Sequence, residues 1–208
     1  MFTGIVSGLG RIERVEPLGD GPAHGQRLAV QAPPGFLDDV SAGDSIAING
    51  ACMTVTHFAI ESGTFNVDVS AESLDKTAGL DAPGPVNLEK AMRAHDRLGG
   101  HLVSGHVDGL GRVTHFAPVG ESWELRIAAP RALARFLATK GSITVDGVSL
   151  TVNRVEDSAE ACEFSINLIP HTLAHTTLGG LQVGRRVNLE IDLIARYIER
   201  MASPAARA

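Results

Sequence analysis

Over most of its length the chain alternates apolar and polar residues with a period of two. Ser45-Ile46-Ala47-Ile48-Asn49 and Ser142-Ile143-Thr144-Val145-Asp146 both alternate up to a glycine, Gly50 or Gly147, after which a second β-branched run begins. Phe65 to Val69 and Phe164 to Leu168 alternate likewise. Short strands spaced roughly ten residues apart, broken by Gly, Asp and Pro, predict small closed antiparallel barrels rather than a stack of helices. Segments 33–40 and 130–139 begin with Pro and carry spaced apolar residues, which predicts a short helix over one end of each barrel. Asn87 to Leu98 reads as the end of one barrel and a link to the next, with Gly99 and Gly100 as a flexible joint. At the C-terminus, Leu193, Ile194, Tyr197, Ile198 and Met201 fall on one stripe of an amphipathic helix. That helix is either packing material or an oligomer contact. The tail from Ala202 onward is expected to fray.

The pattern occurs twice. Gly4 to Ile12 returns as Gly105 to Val113, and Ser45 to Val55 as Ser142 to Val152. Phe65 to Leu74 matches Phe164 to Leu173, and Val86-Asn87-Leu88-Glu89 matches Val187-Asn188-Leu189-Glu190. A unit of about 100 residues is too long for a solenoid repeat and suits a whole small domain. The fold class is therefore all-β: two tandem barrels related by internal duplication, at 1–98 and 99–190, followed by a helix and tail at 191–208. Shared positions should be scaffold and common ligand contacts. Positions that differ should give the two sites different tasks.

Composition removes several functions. A formal net charge of −6 over 208 residues, with no dense basic run, argues against a nucleic-acid partner. The start of the chain has no charged region before its apolar residues, and no stretch reaches the roughly 18 apolar residues of a membrane span, so a cytoplasmic protein is expected. Cys52 and Cys162 are not equivalent in the repeat and form no disulfide framework of the secreted kind.

Three clusters carry candidate chemistry. His101 and His106 flank the joint at a spacing unusual for metal ligands, and no carboxylate or thiol group completes a site, so metal is not expected. His106 stands where the first copy has Ile5, so one half gained a titratable ring that serves either a site or a buried hydrogen bond. Cys52 and Thr54 match Ser149 and Thr151; at i and i+2 in strands they line one face, a plausible ligand wall. The runs Asp68 to Ser73 and Asn167 to Thr172 leave their strands into turns, where backbone groups can hold a flat heterocycle. Neither a phosphate loop nor a nucleophile elbow is present.

Met1-Phe2-Thr3-Gly4-Ile5-Val6, Asn49-Gly50-Ala51-Cys52-Met53-Thr54-Val55, Gly99-Gly100-His101-Leu102-Val103-Ser104-Gly105-His106, Asp146-Gly147-Val148-Ser149-Leu150-Thr151-Val152 and Leu168-Ile169-Pro170-His171-Thr172-Leu173 closely resemble the riboflavin synthase family, alpha-chain type. The resemblance runs from Met1 to about Arg200 and implies two six-stranded Greek-key barrels and a C-terminal helix around which a homotrimer assembles. It implies dismutation of two 6,7-dimethyl-8-ribityllumazine molecules, one giving four carbons to the other, into riboflavin and 5-amino-6-ribitylaminouracil, without cofactor or metal. It also raises association with lumazine synthase, the enzyme of the preceding step. The active site would lie between the N-terminal barrel of one chain and the C-terminal barrel of a neighbour.

Carried over by position, the first pocket would be lined by Gly4, Ile5, Val6, Cys52, Met53, Thr54, Asp68, Val69, Ser70, Ala71, Glu72 and Ser73. The second would be lined by Gly105, His106, Val107, Ser149, Leu150, Thr151, Asn167, Leu168, Ile169, Pro170, His171 and Thr172. Lys140 would reach in from a partner chain, and Phe2 would close the apolar side. His106 and Thr151 are expected to handle protons on one substrate, and Cys52 to position or add a nucleophile to the other, with Ser149 as its counterpart. Ser73 and Met53 replace the family's usual threonine and leucine, and the loop at Pro83-Gly84-Pro85 is shortened. The competing reading is a non-catalytic lumazine- or flavin-binding carrier. Such relatives tend to lose the histidine-bearing joint and the trimer helix, and this chain keeps both.

Overall fold

The computed structural model describes residues 1–21 and 23–202; the tail from Ser203 onward lies outside the described residues. Six strands build the first barrel: β1 (Gly8–Pro17), β2 (Gln26–Gln31), β3 (Ser45–Ile48), β4 (Ala51–Ala59), β5 (Thr64–Val69) and β6 (Gly84–Lys90). They close in the order β1-β2-β5-β4-β3-β6, all neighbours antiparallel, which is a Greek key. The second copy contains β7 (Gly109–Val119), β8 (Ser122–Pro130), β9 (Ser142–Val145), β10 (Val148–Thr151), β11 (Arg154–Asp157), β12 (Ala161–Leu168) and β13 (Arg186–Ile191). Its order, β10-β9-β13-β7-β8-β12-β11, repeats the first, except that the counterpart of β4 is split into β10 and β11. The second copy is thus a curled sheet of seven strands. The break falls at Val152 and Asn153, where the Asn153 N–H still bonds the Ser165 carbonyl of β12 at 2.8 Å.

Alternation along each strand sends one face inward. Ile12, Leu28, Val30, Ile46, Ile48, Phe65, Val67 and Leu88 fill the first barrel; Leu125, Ile127, Ile143, Val145, Phe164, Ile166, Val187 and Leu189 fill the second. Each side chain buried in this way contributes about 1.5–3 kcal/mol over its exposed state. The barrel ends are covered as expected by segments 33–40 and 130–139, through Phe36, Leu37, Val40, Leu133 and Leu137. Neither is an α-helix. Arg131–Phe136 is a 3-10 helix, and 33–40 is a run of turns around Gly35, whose φ of +76° breaks helical winding.

Two short helices replace the turns expected after β5 and β12. α1 (Ala71–Lys76) is capped by Ser70, whose hydroxyl accepts the Ser73 N–H at 3.1 Å, and α2 (Pro170–His175) starts on its proline. α3 (Leu193–Ala202) is the expected C-terminal helix. Its polar side is tied to the second barrel by Arg196 to Asp108 at 2.6 Å and Glu199 to Arg135 at 2.7 Å. None of its residues is buried, and Ile194, Tyr197, Ile198 and Met201 stand in solvent.

Reciprocal contacts around a local two-fold axis join the barrels. The turns at Gly50 and Gly147 meet so closely that a Cβ on either would lie within 2.8 Å of the other's backbone nitrogen. With φ of +83° and +78°, both positions require glycine on two grounds. Asn87 Nδ2 donates to the Asp146 carbonyl and Asn188 Nδ2 to the Asn49 carbonyl, each at 2.9 Å. The Asn87 and Asn188 side-chain oxygens accept the Thr177 and Ala78 N–H groups, again each from the opposite copy.

Candidate active site

Within this two-fold arrangement the segment preceding each barrel leaves its own copy and lies on the other. The Gly4 carbonyl accepts the Ser149 N–H of β10 at 2.7 Å, and the Gly105 carbonyl accepts the Cys52 N–H of β4 at 2.8 Å. Val6 packs on the second core and Val107 on the first. The expected partition of residues between pockets is therefore corrected. Gly105, His106 and Val107 belong beside Cys52, and Gly4, Ile5 and Val6 beside Ser149, because the covalent order of the repeat is not its spatial order.

A cleft of about 190 Å³ in the first copy is lined by Ala51, Cys52, Met53, Glu72, Ser73, Lys76, Thr77, Gly105, His106 and Val107. Of the residues expected there, Cys52, Met53, Glu72 and Ser73 are brought together; Thr54 and Asp68 to Ala71 are not among the lining. The Asp68 carboxylate turns instead to Arg27, which donates to it at 2.7 and 2.8 Å and holds it below the usual carboxylate range. Ala71 faces a neighbouring cleft with Gly25 and Gln26. Phe2 is fully buried behind the pocket with Ala47 and Val103, against Cys52, and pairs with Val103 through two backbone hydrogen bonds. It is a floor beneath the site and has no open face.

The second copy presents Ser149, Leu150 and Thr151 on β10 and His171 and Thr172 on α2. Asn167 is exposed and Leu168 buried at the end of β12, while Ile169 and Pro170 are exposed at the start of α2. His101 joins Ser149: its Nδ1 lies 2.7 Å from the Ser149 hydroxyl, and its Nε2 is buried without a partner. Burial lowers the basicity of this imidazole, against the weaker pull of Asp192. Sequence reasoning ranked His106 above His101 because only His106 had a counterpart in the repeat. The Gly99-Gly100 joint also differs from expectation. A Cβ at Gly100 would lie 2.1 Å from the Thr3 carbonyl oxygen and 2.8 Å from Ser149 Cβ, so this glycine permits close packing. His106 and Thr151, expected to act on one substrate, are not brought together: His106 lines the cleft of the first copy and Thr151 ends β10 of the second. Lys140 is exposed with φ +68°, and its ammonium lies 3.5 Å from Asn153 Oδ1.

The two copies differ most at their short helices. In α1 Lys76 donates to Glu72 at 2.6 Å, whereas the equivalent residues of α2, His175 and His171, stack with ring centroids 4.1 Å apart. Thr77 and Thr176 behave alike, each hydroxyl donating to the carbonyl four residues back, on Ser73 and Thr172. One wall thus offers a thiol, an imidazole and an ion pair. The other offers a serine hydroxyl bound to a buried imidazole whose basicity burial lowers. Among the described residues no three His, Cys, Asp or Glu side chains gather as a metal site, and no helix is long and apolar enough to cross a membrane.

A closed barrel and a curled sheet of the same strand order, with a cleft in the first copy that residues of the second help to line, define a duplicated ligand-binding protein. The lumazine binding domain family matches residues 3–91 and again 104–192. Riboflavin synthase of Mycobacterium tuberculosis is 46% identical over 209 residues, covering 99% of this chain and 100% of the relative. The riboflavin synthases of Actinobacillus pleuropneumoniae and Bacillus subtilis are 42% and 40% identical, covering 96% and 99% of this chain and 89% and 91% of their own lengths. Among solved structures, LumP complexed with 6,7-dimethyl-8-(1'-D-ribityl) lumazine aligns with a TM-score of 0.76 at 25% identity, and LumP complexed with riboflavin with 0.78 at 26%. Both cover 92% of this chain and 99% of that one. The chain belongs to the riboflavin synthase family of lumazine-binding proteins.

Proposed function

We propose that the protein is a riboflavin synthase, converting two 6,7-dimethyl-8-ribityllumazine molecules into riboflavin and 5-amino-6-ribitylaminouracil by transfer of a four-carbon unit. The observation that carries this reading is the pair of homologous but chemically unlike walls, Cys52 with His106 in one copy and Ser149 with His101 in the other. Two identical substrates need two similar sites, and a donor and an acceptor need different treatment. The two products together contain every atom of the two substrates, so the reaction balances without oxidant, reductant or water.

The 7-methyl protons of the lumazine are acidic because the carbanion delocalises into the fused ring, so a moderate base suffices. In the first pocket His106 is the group placed to move that proton, with the Cys52 thiol beside it to position the ring or add to it. In the second, His101 can take the proton of Ser149 as the hydroxyl adds to the ring, and Thr151 shares the same strand face. Holding the two rings face to face supplies an entropy advantage of up to roughly 7–11 kcal/mol. Cys52 and Ser149 stand on separate halves of the chain, on β4 and β10. We therefore place the reacting pair between the first barrel of one subunit and the second of its neighbour, in a homotrimer gathered on the exposed stripe of α3, with Lys140 reaching across. We also place the protein in the cytoplasm, where its two free thiols stay reduced. Association with lumazine synthase is part of this reading; co-sedimentation of the two proteins tests it.

Incubating the purified protein with 6,7-dimethyl-8-ribityllumazine alone tests the proposal. Equal amounts of riboflavin and 5-amino-6-ribitylaminouracil should form with no additive. Saturable binding without product would leave a pigment carrier.

A further inference from the structure

Two buried carboxylates have no part in the chemistry above. Glu89, at the end of β6, accepts the Thr3 N–H and hydroxyl at 2.7 Å each and the Gly4 N–H at 3.0 Å. Glu190, at the end of β13, accepts the Ser104 N–H at 2.7 Å, its hydroxyl at 2.6 Å and the Gly105 N–H at 3.0 Å. Both side chains are more than nine-tenths buried, and burial raises both carboxyl groups above the ordinary range against the pull of these donors. An apolar residue would fill the space without that desolvation cost, so packing does not explain a carboxylate here. A carboxylate does fix the direction of a peptide unit, because three donors converge on two oxygens.

Each glycine so held reaches the opposite barrel through its own carbonyl, in the next peptide unit. Gly105, gripped by Glu190, gives its carbonyl to the Cys52 N–H, and Gly4, gripped by Glu89, gives its carbonyl to the Ser149 N–H. We propose that the two glutamates are crossed positioning residues. Glu190 of the second barrel sets the Gly105-His106-Val107 wall of the first pocket, and Glu89 of the first barrel sets the Gly4-Ile5-Val6 wall of the second. The functional consequence rests on the two-pocket reading given above; the geometry of the walls does not.

Cys52 provides the test, because it is partly exposed under the wall that Glu190 holds. Cys162 is fully buried, and burial pushes its thiol up to about 11, so it stays silent to iodoacetamide at neutral pH. Glu190→Gln replaces an acceptor by an amide donor that faces N–H and O–H donors. Cys52 alkylation in ligand-free protein should quicken about tenfold in Glu190→Gln, while Glu89→Gln, in the same barrel as Cys52, should leave it within about twofold of the parent. Ser104→Ala should show a smaller increase, and Ser104→Thr, which copies Thr3, none. If Glu190→Gln does not fold, the two Ser104 variants decide the question. Equal alkylation rates in the two glutamine variants, or a faster rate in Glu89→Gln, would overturn the crossed assignment. Protection of Cys52 by 6,7-dimethyl-8-ribityllumazine in the parent separately tests the pocket reading. That protection should persist in Glu89→Gln and be lost in Glu190→Gln; its persistence in both would also overturn the assignment.

Discussion

Asn49 and Asp146 occupy the same position at the two-fold junction and make the same bond. Each side-chain oxygen accepts a backbone N–H, from Asn87 at 2.8 Å and from Asn188 at 2.7 Å. One copy uses a neutral amide and the other an acid, which burial pushes up from 3.8 to about 7 against the hydrogen bond from Asn188 and the charge of Arg185. Between those two values the folded chain holds a proton that the unfolded chain has released. Stability therefore falls as pH rises through that window and stays at the lower level above it. Asp146→Asn keeps the acceptor and removes the titration. Its melting temperature relative to the parent should rise between about pH 4 and pH 7 and then level off; a difference that is flat with pH would refute the assignment. The difference between Asn49 and Asp146 is visible in the repeated blocks, but the bond that each makes was not, nor was the pairing of His101 with Ser149. A repeat alignment compares equivalent positions, whereas His101 precedes the first position that has a counterpart, and its partner lies 48 residues away.

At the scale of elements, alternation and turn residues located the paired strands, and the apolar stripe located α3. Where the reading missed, the cause is local. α1 and α2 have six residues each, too short for a helical period to show, and are set by a serine cap and a leading proline. Gly100 looked like a hinge because one sequence does not separate a glycine needed for flexibility from one needed for close approach. α3 carries the element-level prediction. Its barrel-facing side is fixed by ion pairs, while Tyr197 and Ile198 are 63% and 62% exposed. Ile198→Glu should convert the proposed trimer to monomers in sedimentation velocity, abolish turnover and leave the barrel's circular dichroism unchanged. An unaltered sedimentation coefficient would remove α3 from the interface.

At the scale of the whole molecule, the duplication was plain from the repeated blocks, and so were Cys52, Met53, Glu72, Ser73, His106 and Val107 as residues of a cleft. The grouping of those residues was not, because the segments before the two barrels exchange sides. This exchange makes each pocket depend on both halves of the chain, and the proposed reaction then couples two chains. Mixing two inactive variants tests that coupling most directly: Cys52→Ala/His106→Ala, with only the second pocket intact, and Ser149→Ala/Thr151→Ala, with only the first. After subunit exchange, an intact first barrel can meet an intact second barrel from another chain, and riboflavin synthesis should reappear in the mixed trimers. If the mixed trimers form and remain as inactive as their parents, the reacting pair is not assembled between subunits.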